Sequence, residues 1–405
     1  MGTARIHYAW AVCFACILMF LCNMGLVSSG LTVYLPYIEE SGLSHSMGSA
    51  ILSIRTLFAF LSLFFVGFYY RHMTLRRGIL ACSLLGAASM AVFGIAKSPF
   101  TYYLAAAMCG CAYAFGSVYP TSILLNNWFH SRKGFVVGIS SAGSGVSTML
   151  FPPVIVRVIR SYSLRTAFFA EAAALAAMAV LVWVIVRDTP EQKGLLPYGE
   201  KADGKEKTAG PDKKSLSKGT LRLLAVMMLL NGGAGLAFSG HLSVLAKACG
   251  YAGETAAGVV SVFGLTLLIG KLVSGGIADR AGTRQTSTLL TGIFILGCVS
   301  VLGMNGRNMF WPYFMSALVG FGGAVYNVGP PLWAADLSGT GEYAKTLRWL
   351  QIFYNLGGTI FTIIPGVIAD HTGEYKSSYF LFAGMMVMSA LMLHRAYRIR
   401  TRDTV

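Results

Sequence analysis

Long apolar runs alternate with short polar punctuation along nearly the whole chain. Interrupted by at most one or two charges, they fall at residues 8–36, 46–70, 77–96, 100–127, 134–159 and 165–187, and again at 220–247, 254–278, 285–304, 309–335, 344–369 and 376–397. Crossing a hydrocarbon core takes about 20 apolar residues in a helix, so the pattern predicts an all-α membrane protein with twelve transmembrane helices. The predicted organisation is a six-helix bundle at 1–187, a linker at 188–219 and a second six-helix bundle at 220–405. The first run follows Arg5 and His7 as a signal peptide would. It is far longer than a signal core and lacks a small-residue cleavage site, so it reads as a retained helix.

Composition agrees with this picture. Of 405 residues, 55% are hydrophobic and 12% charged, whereas soluble globular proteins carry about 25% charged residues. The 32 Lys and Arg against 16 Asp and Glu give a formal charge of +16, which topology explains without nucleic acid. With the N-terminus inside, 23 basic residues fall in inner segments and seven (Lys97, Arg157, Arg160, Arg165, Lys247, Arg307 and Lys376) in outer ones. That bias places both termini and the linker in the cytoplasm, and a bacterial inner membrane is the expected location. The linker holds seven Lys after Arg187 against six acids up to Asp212, with Gly and Pro interspersed, and reads as flexible. The eight cysteines lie mostly inside apolar runs, which excludes a disulfide scaffold. Cys13 and Cys16 form a CxxC, for which redox or metal chemistry is the minor reading. No cofactor is expected.

The halves repeat each other. Aligning Ser41–Ile54 with Cys249–Val262 pairs Gly42 with Gly250 and Ser53 with Ser261, an offset of 208. The GSVY ending at Tyr119 pairs with the GAVY ending at Tyr326, an offset of 207. Each match is short, but one shared offset and the six-plus-six count predict two pseudo-symmetric bundles, as in many transporters.

Gly275–Arg284 reads GGIADRAGTR and closely resembles the loop motif of the major facilitator superfamily: a glycine, an acid four residues later, then a basic residue and a glycine. The resemblance implies two bundles rocking about a central site. It also implies an inner gate at the end of the eighth helix, where Asp279 pairs with arginines such as Arg280 and Arg284 and with a neighbouring helix N-terminus. The equivalent first-half loop from Gly67 carries Arg71 in place of the acid, so the latch is expected mainly at Asp279. Further stretches resemble the branch containing oxalate/formate antiporters and monocarboxylate transporters. They are HYAWAV from His7, NNWFHSRKGFVVGISSAGSGVS from Asn126 and RDTPEQKGLLPYG from Arg187.

Ionisable side chains inside spanning helices are costly and therefore functional candidates. Lys271 lies eight residues before Asp279, about 12 Å into the membrane, too deep for its stem to reach the cytoplasmic interface. Relatives of this branch carry a substrate-binding arginine there. Lysine keeps the charge and loses the planar fork that grips a carboxylate. Arg55 lies sixteen residues before Arg71, about 24 Å along the helix. It is either a second anion-steering charge or a partner of Glu171. Glu171, with Arg157, Arg160 and Arg165 close in sequence, reads as a structural ion pair or a proton carrier. His241, near the outer end of the seventh helix, is either a proton-coupling group or an ordinary interfacial histidine.

Tyr119 and Tyr326 occupy equivalent places in the fourth and tenth helices. Their hydroxyls either contact substrate or rest on backbone carbonyls between packed helices. Asn23, Ser28 and Ser29 are weaker candidates of the same kind, and Gly138, Ser141, Ala142 and Gly145 read as a close helix contact. The resemblance implies an acid one turn before the helix 8 basic residue in proton-coupled relatives, where this chain has Leu267. It implies a second basic residue in helix 11 in anion exchangers, where this chain has Gln351, Tyr354 and Asn355.

The expected function is secondary transport of a small organic anion, a mono- or dicarboxylate, by a monomer that uses protons or a counter-anion. The candidate substrate contacts are Lys271, Tyr119, Tyr326, Arg55 and Asn355. Two embedded cations against one acid leave the pathway positive, which suits an anion. The alternatives are efflux of neutral or amphipathic compounds and a membrane sensor that has kept the fold without transport. No nucleophile and base pair, metal cluster or phosphate loop points to an enzyme.

Overall fold

A computed structural model describes residues 7–40, 45–199, 216–339, 341–362, 364–372 and 374–403. Among them the named elements are all helical, and the one β-type pairing is an isolated parallel bridge between Phe129 and Tyr198. The first span is built from α1 (Ala9–Met19), a π-helical stretch (Phe20–Gly30) and α2 (Leu31–Glu40). Then come α3 (His45–His72) and α4 (Leu75–Ile95), a fourth span divided into α5 (Pro99–Gly116) and α6 (Val118–Trp128), α7 (Lys133–Ser161) and α8 (Leu164–Ile185). Beyond the linker, α9 (Lys218–Ala248), α10 (Gly253–Ala281) and α11 (Thr283–Val299) are followed by a tenth span of α12 (Phe310–Gly322) and α13 (Val325–Leu337). An eleventh span of α14 (Tyr343–Phe361) and α15 (Ile364–Thr372) and a twelfth, α16 (Lys376–Asp403), complete the chain.

The twelve predicted spans are therefore present, six in each half. Among the described residues ten of them contain a helical stretch long and apolar enough to cross a membrane, and the tenth and eleventh do not. Helices start where short polar loops supply a hydroxyl cap. Thr74, Ser98, Ser163 and Ser217 accept from the backbone N–H groups of Arg77, Thr101, Thr166 and Thr220, satisfying donors that the first turn leaves open.

The chain divides into two compact units, Met1–Val136 with Ser140–Gly204, and Val137–Ile139 with Lys205–Val405. Within the first, 67% of the best apolar stretch of the fourth span is buried against 22% for the second span, whose Leu57, Phe64, Phe65 and Phe68 are exposed. The fourth span is thus a core element, and α3 turns an apolar face outward, as a lipid-facing helix does. In the second unit the eighth span is likewise only 22% buried, with Leu265, Ile269, Leu272 and Val273 exposed.

The internal repeat is visible in the packing of each unit. A Cβ at Gly110 of α5 would strike the carbonyl oxygen of Arg55 on α3, and a Cβ at Gly320 of α12 would strike that of Phe263 on α10. Both positions need glycine because backbone approaches backbone there. The fourth span breaks at Ser117 (φ −107, ψ −113), and its freed carbonyls are taken by neighbours. The Tyr70 hydroxyl donates to Phe115 O at 2.6 Å and Asn23 Nδ2 to Gly116 O at 2.9 Å. Non-helical backbone at membrane depth is tolerated when partners of this kind restore its hydrogen bonds.

The linker departs from expectation. Residues 188–199 are ordered against the first unit, and 200–215 lie outside the described residues. Asp188 accepts from the N–H groups of Leu75 and Arg76 at the start of α4, at 3.1 and 2.8 Å. Near-balanced charge suggested flexibility, but a carboxylate on a helix N-terminus and a set of aromatic contacts pin this stretch.

Candidate functional site

In the second unit, Lys271 is 3% exposed on α10, and Ser274 Oγ donates to its carbonyl oxygen at 3.4 Å. Two turns further on, Asp279 and Arg280 lie exposed at the end of the same helix, and Arg284 is half-buried in the first turn of α11. Elsewhere in this unit the Tyr397 hydroxyl donates to Asp336 Oδ2 at 2.9 Å and the Arg400 guanidinium to Ser338 O at 3.5 Å.

The other candidates of this unit engage its own helices. Tyr326 is buried with its hydroxyl on the Met386 sulfur at 3.6 Å, and its ring meets Phe294 edge-on at 5.4 Å and lies 6.4 Å from Tyr354. Asn355 donates to Gln351 O at 2.8 Å within α14. His241 has Nδ1 2.9 Å from Ala237 O, and its ring lies 6.5 Å from that of Tyr375.

In the first unit, Arg55 is half-buried on α3, close to Cys109 and Tyr113 of α5. Glu171 is 5% exposed on α8. The hydrogen-bond donor it meets is not one of the sequence-near arginines but the Tyr34 hydroxyl, 2.7 Å from Oε2, and Oε1 has no partner. Arg157, Arg160 and Arg165 are exposed, the last with its guanidinium 5.6 Å from the Phe169 ring. Tyr34 in turn stacks on Phe168 at 4.1 Å. Tyr119 is buried two residues beyond the helix break, with its ring stacked 5.8 Å from Tyr70. The side chains of Ser28 and Ser29 lie outside the described residues.

Two asparagines were under-read or missed in the sequence. Asn23 is fully buried, caps the break in the fourth span and keeps its own Oδ1 unpartnered. Asn231, at the 208-residue offset, donates to Met227 O at 3.1 Å and Ser389 Oγ at 2.7 Å. The repeat offset was the signal that would have found the pair.

The three stretches that carry the branch resemblance meet at one end of the first unit. Tyr198 N donates to Trp128 O at 2.8 Å, while Tyr198 O accepts from the N–H groups of His130 and Ser131 at 3.0 and 3.2 Å. Its ring packs against His7, Trp10 and Phe129, each at 5.6 Å. The Tyr8 hydroxyl donates to Ile185 O, Trp128 Nε1 to Arg187 O and Asn127 Nδ2 to Asp188 O. Glu191, exposed on the same segment, is held below the ordinary carboxylate range by its hydrogen bond with the Thr189 side chain. These signature residues build a clasp between the start of α1, the connection from α6 to α7 and the segment after α8. Among the described residues no group of three or more His, Cys, Asp or Glu is placed to hold a metal, and Cys13 and Cys16 are free thiols.

Comparison with known proteins fixes the class. A family model described as Major Facilitator Superfamily matches residues 12–362. The chain belongs to that superfamily. It is similar to an MFS-type transporter of Gibberella moniliformis, 23% identical over 385 residues that make up 91% of this chain and 86% of the relative. It is also similar to human monocarboxylate transporter 11, 24% identical over 288 residues, 68% of this chain and 58% of the relative. In fold it matches the crystal structure of the human organic anion transporter MFSD10 (TETRAN), with a TM-score of 0.75 at 14% identity over 95% of this chain and 99% of that one.

Proposed function

We propose that this protein is a secondary transporter of a small organic anion, a mono- or dicarboxylate, working by alternating access. The observation that carries the reading is the burial of Lys271 at 3% exposure within a membrane-spanning helix. An ammonium group held away from water costs several kcal/mol unless an anion or polar partners compensate it. A positive group buried at that place suits a carboxylate substrate, so binding and conformational change become linked through one charge. The names of related monocarboxylate transporters and of the organic anion transporter with this fold point the same way.

Arg55, Tyr119 and Asn355 complete the proposed contact set. Tyr326, whose hydroxyl donates to Met386, belongs to it as well, and like Asn355 it is a weaker member because its polar group is already bonded inside the second unit. Asp279, Arg280 and Arg284 are the proposed latch. Of the two proton-coupling candidates we favour Glu171, whose buried carboxyl has a neutral partner on one oxygen and none on the other. His241 is bonded to its own helix. The proposed setting is a monomer in the cell membrane of a bacterium, with both termini cytoplasmic.

The test is counterflow in proteoliposomes loaded with one carboxylate. Uptake of labelled lactate, formate, oxalate and larger acids is followed with and without a pH gradient, for wild type and Lys271→Gln. Saturable uptake that the substitution abolishes supports an anion carrier, and its dependence on internal anion or on pH separates exchange from symport. Movement of neutral compounds only, equal in both proteins, would overturn the reading.

A further inference from the structure

Where α4 runs into α5 and α7 into α8, the end of the first unit opens into a cavity of about 340 Å³. Its walls are the buried rings of Phe93, Tyr102 and Phe168, and its rim carries Lys97 and Arg165. The rings form a continuous surface, with Phe93 stacked on Phe168 at 5.4 Å and lying 6.2 Å from Tyr102. Two helices of 18 and 22 residues, α5 and α8, begin at this cavity, and their N-terminal ends add positive potential to that of the two side chains. A cleft with two basic residues in its lining over an apolar floor suits an anionic group attached to a hydrophobic body. The outer surfaces of the same helices supply the rest of such a site. Ile95, Phe100, Leu104 and Phe169 are exposed beside it and offer a place for acyl chains.

We propose that this cavity seats the phosphate-bearing headgroup of an anionic phospholipid, a site separate from the one proposed for transport. The floor residue Phe168 stacks on Tyr34, whose hydroxyl is bonded to Glu171, so an occupied cavity braces the wall behind the buried carboxyl. A lysine and an arginine on one rim match a phosphate, with Arg contributing two parallel donors and Lys a point charge.

Lipid binding to the purified full-length chain in detergent is the direct test, and it does not depend on the transport activity. Phosphatidylglycerol, phosphatidylcholine and free glycerol 3-phosphate are titrated separately, and occupancy is read by native mass spectrometry. Phosphatidylglycerol is expected to bind preferentially, and Lys97→Ala with Arg165→Ala to weaken it about tenfold or more, given two basic groups at a membrane surface. Lys247→Ala with Arg307→Ala, which removes the same charge from exposed positions of the second unit, is expected to leave binding unchanged. Should the alanine pair fold poorly, Lys97→Gln with Arg165→Gln replaces it. Equal weakening by both pairs, or equal binding of phosphatidylcholine, would overturn the site. Binding of glycerol 3-phosphate as tight as that of the lipid would assign the cavity to soluble phosphates and overturn the lipid.

Discussion

Gly110 brings α5 onto the carbonyl of Arg55 in the first unit, and Gly320 brings α12 onto the carbonyl of Phe263 in the second. At an offset of 208, against 210 for these two glycines, Asn23 matches Asn231, Leu63 matches Lys271 and Arg71 matches Asp279. The glycines and asparagines that shape the backbone are kept, while the charged positions are exchanged for apolar ones or reversed in sign. The second unit buries Lys271 at a position where the first buries Leu63 at 7% exposure. A duplicated scaffold can thus stay similar in its close contacts while its charged side chains fall at different positions in the two halves, Arg55 on α3 and Lys271 on α10.

The largest effect expected from this contrast is at Lys271. Lys271→Gln should lower carboxylate uptake about a hundredfold, the scale of a lost charge-assisted hydrogen bond. Its counterpart Leu63→Met should stay within about twofold because it conserves volume in a buried apolar place. Equal losses in the two variants, measured by counterflow, would break the assignment of a working charge to Lys271. Next come the glycines. Gly110→Leu and Gly320→Leu should each cost about 2–3 kcal/mol through overpacking against backbone, seen as matched drops in thermal unfolding temperature in detergent. A large inequality would show that the repeat in packing is only apparent.

The asparagines sharpen the comparison further. Asn23→Ala should cost about 1–3 kcal/mol, since it strands the Gly116 carbonyl at a helix break, and should speed hydrogen exchange around Ser117. Asn231→Ala, which leaves a serine hydroxyl able to turn elsewhere, should cost nearer 1 kcal/mol. The smallest effect belongs to Tyr326→Phe, with uptake within about twofold of wild type because its hydroxyl meets only a thioether, a weak acceptor. A tenfold loss there would make Tyr326 a leading substrate contact.

The span count was legible because a hydrocarbon core demands a fixed length of apolar helix, and each run meets it. The separation of Lys271 from Asp279 along α10 was legible for a related reason: a regular helix turns residue spacing into distance. The breaks at Ser117 and at Gly323–Ala324 were not legible, since hydropathy does not register where backbone carbonyls find partners. Glu171 was read towards arginines by charge and sequence proximity, yet neighbouring residues on adjoining helices point different ways, and a tyrosine from the first span occupies the place. The segment after Arg187 was read from its charges, while its aromatic and capping residues decide its structure.

That segment also changes where the chain can sensibly be divided. A seam at Arg187 would sever Asp188 from the start of α4 and Tyr198 from Trp128 and His130, leaving raw polar backbone and bare aromatic faces on an isolated N-terminal fragment. Cut beyond Gly199, the same fragment carries its own closing strap. For split expression, tag insertion or swapping of halves between relatives, the natural joint lies a dozen residues past the last helix of the first half.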